Sequence, residues 1–516
     1  MSDLNNKVLL IITHNDKPMG LRCIANFLKN NGFEPTIVFM GINMYNPSPI
    51  TNKELALLKE VIASQKFLYV GISILSCFTL QDAKEIYKFI KQNFNIPVIM
   101  GGAYVTSVPQ EAAKYADIAI RGEGETSMLM LAEAFQKNQD WHSIPNLCYF
   151  DETNNKYIEN ELAPLISNID SVGYGFVDSV DMYIIENSVI QKSNPLLTTE
   201  FYETACSRGC PYNCSYCCSS NVRRLYKNKG IYLRFRSVDN VISELKEAIS
   251  KNPNIKEIRF WDEVFSSQKG WVETFTERYK KEIGIPFHIW GHPLMIKKDL
   301  ISMLSDAGLK RIVVGIQSGS PNVRNNIFRR FETNEQIIKA SEILSSFKIP
   351  EVYYDLMIGH PLESIKELEE TFNLCLQLKF PFNLEIHGLY FLPGADITNI
   401  ALKQGFYTQE DFNTWNNLSF QEQDKILRTP AGGQHYYEPK KEILSDLIFL
   451  TQFECIRDKV IKLSSNPYKN VKKIKKLRAK IEKIPNKTEN LSLSQTKFIK
   501  KIANVFFPLL YKIKNK

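Results

Sequence analysis

Half of the ten cysteines in this 516-residue chain lie between Cys206 and Ser220, in the stretch CSRGCPYNCSYCCSS. Three chemistries compete for such a crowd of thiols: a disulfide knot, a zinc site or an iron–sulfur cluster. The N-terminus, MSDLNNKVLLIITHND, has no basic n-region, no small-residue cleavage site and only a short apolar run, so a cytoplasmic, reducing location is expected and disulfides are disfavoured. A structural zinc ion wants four ligands, usually as two separated pairs, and no second CxxC or His pair exists here. A ferredoxin-type cluster also needs a fourth cysteine. Cys210, Cys214 and Cys217, spaced C-x3-C-x2-C, suit a four-iron cluster whose fourth iron is left open for another ligand. Cys206 and Cys218 stand outside that spacing and read as packing or surface residues. Cys23, Cys77, Cys148, Cys375 and Cys455 lie singly in apolar surroundings and read as buried small hydrophobes.

Stepping outward, 44% hydrophobic and 23% charged residues are those of a globular protein, and the length calls for two or three domains. KVLLII, PTIVFMG, FLYVGISIL, IPVIMGG and IAIRGEG are short β-branched runs separated by helical segments. This alternation predicts parallel βαβ units and a Rossmann-like, doubly wound α/β sheet over residues 1–140. Residues 141–195 are expected to be an irregular polar connector. Over 196–405 the alternation resumes with TTEFYET, IKEIRFW, FHIWGH, RIVVGIQ, VYYDLMIG and NLEIHGLYF, which predicts a partial (β/α) barrel with its chemistry at the strands' C-terminal ends. Residues 406–516 are expected to be helical.

The run CPYNCSYC, C-x3-C-x-aromatic-C after a strand that opens a βα repeat, resembles the signature of the radical SAM superfamily. In that family three thiolates hold a [4Fe-4S] cluster whose open iron binds S-adenosyl-L-methionine (SAM). The resemblance implies that Tyr216 touches the adenine. FWDEVF resembles the family's acidic strand end, where Asp262 or Glu263 would bond the SAM amino group. GIQSGSPNVRNNIFRR resembles the segment lining the SAM ribose and brings in Gln317, in place of the usual Glu, and Ser318. MIGHPLES resembles the family's IGxPxET strand, which would put Glu363 near the site, and LYFLPGADI resembles the last strand and its turn.

The stretch from YVGISIL through VIMGGAYV to RGEGET resembles the cobalamin-binding domain that precedes the cluster domain in one radical SAM subclass. By that resemblance Ser73 and Leu75 contact the benzimidazole, and Gly101 and Gly102 let the nucleotide tail approach the backbone. The DxHxxG loop of that domain is absent: Lys17 stands where the cobalt-ligating His would be, with His14 nearby, so base-off, His-off cobalamin is expected. RGEGE reads as a turn and helix start.

The formal charge of +8 hides a split. Residues 465–516 hold 15 Lys and Arg against two Asp and Glu, leaving the rest net acidic by five. Val471, Ile474, Leu477, Ile481 and Ile484 recur at helical intervals among lysines, and KFIKKIANVFFPLLYKIKNK follows. Such stretches pack on the body or lie on an anionic membrane surface; a nucleic-acid partner is disfavoured because Arg is scarce. The resemblance implies a methyltransferase: SAM methylates cobalamin, a second SAM gives a 5′-deoxyadenosyl radical, and the substrate carbon takes the methyl group. An electron donor such as flavodoxin or ferredoxin and a small-molecule or lipid-like substrate are implied with it. Ring contraction, cyclisation or rearrangement with the same cofactors is the first alternative, and a non-catalytic cobalamin-binding module the second.

Overall fold

A computed structural model describes residues 5–42, 47–151, 153–173, 176–177, 180–427 and 438–482. The N-terminal sheet has nine strands: β1 (Lys7–Thr13), β2 (Glu34–Met40), β3 (Val70–Ser73), β4 (Val98–Gly101), β5 (Ile118–Ile120), β6 (Leu147–Asp151), β7 (Lys156–Glu159), β8 (Asp181–Glu186) and β9 (Val189–Lys192). Their order is β7-β6-β5-β4-β3-β1-β2-β8-β9. The strands from β5 to β8 are parallel, and β6, β7 and β9 are antiparallel additions. β1 reads KVLLIIT and is buried almost throughout because helices cover both faces of a parallel sheet. The winding reverses at β1, with β2 on one side and β3 on the other, which opens a crevice at their C-terminal ends.

Residues 141–195 are not an irregular connector: β6 to β9 fall within them and extend the sheet at both edges. The edge strands β7 (KYIE) and β9 (VIQK) are short and half polar, so they lack the apolar signal of the central ones, and β6 and β8 inside them are short runs set among polar turns. Helix starts follow local chemistry more openly. Thr51 with Glu54, and Ser364 with Glu367, form reciprocal caps at the helices Asn52–Ala63 and Ile365–Cys375.

The second sheet is all parallel, in the order β10 (Phe201–Thr204), β13 (Glu257–Phe260), β14 (Phe287–Gly291), β15 (Leu309–Gln317), β16 (Glu351–Met357), β17 (Asn383–His387). It is a partial barrel of six strands with helices outside. Two-residue strands β11 (Ser207–Arg208) and β12 (Arg234–Phe235) pair antiparallel beside the cysteine loop. Cys206 is fully buried in the barrel core. Cys23, Cys77, Cys148 and Cys375 are buried as expected, but Cys455 is exposed, at a short turn between helices.

The C-terminal part is helical. In the helix Val471–Glu482, Ile474, Leu477 and Ile481 are buried in the barrel's outer core, while Lys472, Lys473, Lys475 and Lys476 stay exposed. The first basic stretch therefore packs on the body by its apolar face. Ile484 and the second basic stretch lie outside the described residues. Among the described residues no helix is long and apolar enough to cross a membrane.

Candidate active site

The cysteine loop is held in place by its neighbours' backbone. Ser215 N–H donates to the Phe328 carbonyl at 3.0 Å, Ile397 N–H donates to the Ser215 carbonyl at 2.9 Å, and Ser220 Oγ donates to the Cys214 carbonyl at 2.7 Å. Cys217 stands at the N-cap of the helix Cys218–Leu225. Cys214 is buried and Cys210 and Cys217 are half-buried. Burial pushes the Cys210 thiol up to about 11 and Cys217 further, and the nearby Glu263 and Cys214 add to both shifts. Thiols in such a place become thiolates only with a cationic partner, which suits iron ligation.

Around the loop the barrel supplies a ring of polar groups. Tyr216 packs edge-on against Phe328, with centroids 5.1 Å apart, and its hydroxyl accepts from Arg330 Nη1 at 3.1 Å. Arg330 also donates to the Gly315 carbonyl at 2.6 Å and to Glu332 at 2.7 Å, and its Nη1 lies 4.0 Å from Cys214 Sγ. Glu332 in turn faces His292, which stacks on Tyr212 with centroids 3.8 Å apart. Arg330, Glu332, His292 and Tyr212 were not singled out in the sequence. The run FRRFET, closing the GIQSGS segment, was the available signal.

The two acidic candidates separate. Asp262 accepts from Cys206 N–H at 3.1 and 3.0 Å and from the Ser207 hydroxyl. Burial pushes its carboxyl up to about 6 against those bonds. It is committed to fixing the strand end and is not available to a ligand's amine. Glu263 is exposed in the cavity described below, where crowding by the surrounding protein, with Asp262 adding to the effect, raises its carboxyl.

Gln317 sits at φ 68°, donates from Nε2 to Asp355 at 3.1 Å, and leaves its Oε1 buried without a hydrogen-bond partner. A ribose hydroxyl would satisfy that oxygen, so the amide fits the position in place of a carboxylate. Ser318 is fully buried; its hydroxyl accepts from Ser320 N–H at 3.1 Å and lies 3.3 Å from Thr371 Oγ1. It shapes the turn and does not face a ligand. The neighbouring Gly319 has no alternative, since a Cβ there would lie 2.3 Å from the Thr371 backbone. Glu363 is buried, accepts from Gly359 N–H at 2.8 Å and has an unpartnered Oε1. Burial pushes its carboxyl up to about 8.

The N-terminal sheet meets the barrel across a cavity of about 420 Å³. Its deep part is apolar, with Leu10, Ile72, Ile99, Ile120 and Met128, and its mouth carries Ser73, Gly101, Gly102, Arg208, Trp261 and Glu263. A Cβ on Gly101 would meet nothing nearer than 4.0 Å and would project into open space. Gly102 has a second reason to be glycine: at φ 111° a Cβ would lie 2.5 Å from the Ile74 carbonyl oxygen. Leu75, just beyond β3, is 55% exposed, an apolar side chain left uncovered by protein. An apolar slot and a glycine ledge at a winding reversal fit a nucleotide-tailed corrinoid, and Leu75 lies outside that lining.

His14 and Lys17 are both turned away from it. His14 Nε2 bonds Asp82 at 2.9 Å under the ring of Phe420, and Lys17 lies over the Phe201 ring at 4.6 Å. Neither lines the cavity. The GEGE loop does more than start the helix Glu125–Lys137. Arg234 Nη2 donates to Glu123 Oε1 at 2.7 Å, Arg208 bonds both Glu123 and Glu125, and Glu123 N–H donates to the Tyr226 hydroxyl at 2.8 Å. Burial pushes the Glu123 carboxyl up, but Arg234 and Arg208 outweigh it and hold it below the usual range. A second tie is deeper: Arg22 Nη1 bonds the Tyr202 hydroxyl at 3.0 Å, which donates to Glu244 at 2.8 Å.

Comparison with known proteins agrees with both halves. Residues 204–375 match the Radical SAM superfamily and residues 10–132 match the B12 binding domain. An uncharacterized methyltransferase of Pyrococcus horikoshii, PH0819, is 28% identical over 343 residues, covering 64% of this chain and 69% of that protein. The anaerobic magnesium-protoporphyrin IX monomethyl ester cyclase of Rubrivivax gelatinosus is 24% identical over 310 residues, covering 57% of this chain and 50% of the cyclase. Among solved structures, the radical SAM methyltransferase TsrM of Kitasatospora setae superposes with a TM-score of 0.61 at 16% identity, covering 77% of this chain and 76% of TsrM. The cobalamin-dependent radical enzyme OxsB gives 0.61 at 15%, covering 93% of this chain and 71% of OxsB. At those identities the likeness is one of fold.

Proposed function

We propose that this chain, a cobalamin-dependent radical SAM enzyme by its matches to the Radical SAM superfamily and the B12 binding domain, methylates an unactivated carbon of a small polar molecule. Its cofactors are a [4Fe-4S] cluster, SAM and cobalamin. When bound, they supply a carbon radical and methyl-group carriage, which protein side chains cannot. The chain's own residues bind, orient and exclude water. Cys210, Cys214 and Cys217 would hold the cluster. Tyr216, Glu263, Gln317 and Glu363 would face SAM, and Ser73, Leu75, Gly101 and Gly102 would face cobalamin.

The observation that carries this reading is the single cavity whose lining includes Ser73 and Gly101 from one domain and Glu263 from the other. One substrate could then meet both cofactors. The inward residues of the barrel strands, which alternate with core ones, favour a polar substrate. Arg259 pairs with Glu257 at 2.8 Å, Arg311 pairs with Glu385, and His387 lies 3.4 Å from Asp355. Trp261 stacks on Trp290 with centroids 5.4 Å apart. Such a lining suits a polar, ring-bearing molecule and would leave a hydrocarbon chain beside unsolvated charges.

The similarity to the cyclase supports a second reading, radical rearrangement or cyclisation without methyl transfer. Anaerobic turnover with methyl-deuterated SAM on a small-molecule extract separates the two. Deuterated methyl in a new product supports methylation; 5′-deoxyadenosine formed with no label in any product supports cyclisation.

A further inference from the structure

We propose that a second cavity, of about 250 Å³ beside His14, binds a small protonated amine. It lies at the C-terminal ends of β1, β2 and β8, on the β2 side of the winding reversal, and shares no lining residue with the cavity between the domains. Three tight turns build it. His14 follows β1 at φ 54°, Gly41 follows β2 at φ 64°, and Asn187 and Ser188, at φ 53° and 61°, make the two-residue turn between β8 and β9. A histidine in the left-handed region is uncommon and points to a constraint on its ring. Here the ring lies with Nε2 on Asp82 at 2.9 Å and Phe420 packed against it, centroids 5.0 Å apart.

Asp82 accepts the Nε2 hydrogen, so in the neutral ring Nδ1 carries the lone pair. Nδ1 is buried without a hydrogen-bond partner, in a side chain only 1% exposed. It faces Gly41 in the cavity wall: a Cβ on Gly41 would lie 3.0 Å from Nδ1, so glycine keeps that approach open. A buried acceptor left unpaired is costly, and a donor on a bound molecule would satisfy it. The surrounding charge selects the donor. Glu54 and Glu186 line the cavity, and none of its lining residues is Lys or Arg. The Glu54 carboxylate is held in place, accepting from Thr51 N–H at 2.8 Å and from Ser188 N–H at 3.3 Å. An ammonium group would give a hydrogen to Nδ1 in the field of two carboxylates, whereas an anion would meet both carboxylates and a lone pair. The volume lies below that of sites for drug-sized ligands, so the amine is compact.

The test is NMR of the full chain carrying 13C-labelled histidine, titrated with propylammonium chloride and, in parallel, with propanol and sodium propionate. The chain has seven histidines, and His14→Phe, or Asp82→Asn should the first not fold, identifies the His14 ring signal. Propylammonium should shift that signal saturably, with a Kd of about 1 mM or less. Propanol and propionate should bind about tenfold more weakly or not at all. Glu54→Gln removes one charge and keeps the cap on the helix Asn52–Ala63, because glutamine serves equally at that position. Its Kd for propylammonium should rise about tenfold, with the other histidine signals unmoved as the check on folding. No saturable shift of the His14 signal, equal binding of propionate, or an unchanged Kd in Glu54→Gln would each overturn the site.

Discussion

Arg234 and Glu123 meet at 2.7 Å, tying the hairpin beside the cysteine loop to the turn that closes the N-terminal sheet. Arg208 joins the same carboxylate, so one glutamate holds two arginines from the other domain at the rim of the shared cavity. This contact ties the two domains together beside the cavity that both line.

Glu123→Gln should therefore loosen the interface. Removing one partner of a largely buried ion pair costs about 3 kcal/mol. Thermal unfolding of the cofactor-free variant should start several degrees lower, and cobalamin affinity should fall by about tenfold. An unchanged melting profile would mean that the ties at Arg208–Glu125, at the Glu123 backbone and Tyr226, and at Arg22–Tyr202 hold the interface without the Glu123 carboxylate.

Single Ala substitutions at Cys210, Cys214 and Cys217 should each abolish the cluster, read as loss of bound iron and of visible absorbance after reconstitution. Cys206→Ala and Cys218→Ala should keep it. Cys206→Ala should still cost about 1 kcal/mol, because that thiol is packed in the barrel core. Loss of iron in either of the last two would show that the loop's ligand set is wider than three.

Gly101→Leu separates folding from binding. Since a Cβ at this glycine meets open space, the variant should fold and bind iron normally. Its side chain would enter the ledge of the cavity, and cobalamin affinity should drop at least a hundredfold by spectroscopic titration. Normal cobalamin binding would place the corrinoid elsewhere.

Glu363 gives a pH signature. Its carboxyl stands at about 8 in the fold, against about 4.3 in an unfolded chain. The folded state keeps a proton that the unfolded state has lost, so the contribution is present below about pH 4 and is lost as pH rises toward 8. Glu363→Gln cannot ionise. Its stability relative to the unaltered protein should rise by about 3 kcal/mol between pH 5 and 8, read from denaturant midpoints. A constant difference across that range would contradict the buried, protonated state.

The sequence was most legible where signals are local. Buried parallel strands announce themselves as β-branched runs, and the cysteine spacing needs only eight residues to be read. It was least legible where function depends on distant partners. Asp262 and Glu263 are adjacent and chemically alike, yet only the fold shows that Cys206 and Ser207 claim the first and leave the second to the cavity. Ser318 looked like a ligand-facing hydroxyl until Thr371 and Ser320 were found around it. Glu123 read as a helix start because its arginine partners are 85 and 111 residues away. The edge strands β7 and β9 are the least legible of the first sheet, because they are short, half polar and carry charge.

The most direct measurement of the central claim is the pair of SAM products made by the anaerobic holoenzyme under a low-potential reductant in the presence of its substrate. The account predicts both 5′-deoxyadenosine and S-adenosylhomocysteine, in proportion to methylated product. 5′-Deoxyadenosine without S-adenosylhomocysteine would contradict methyl transfer, and neither product would contradict radical chemistry at this site.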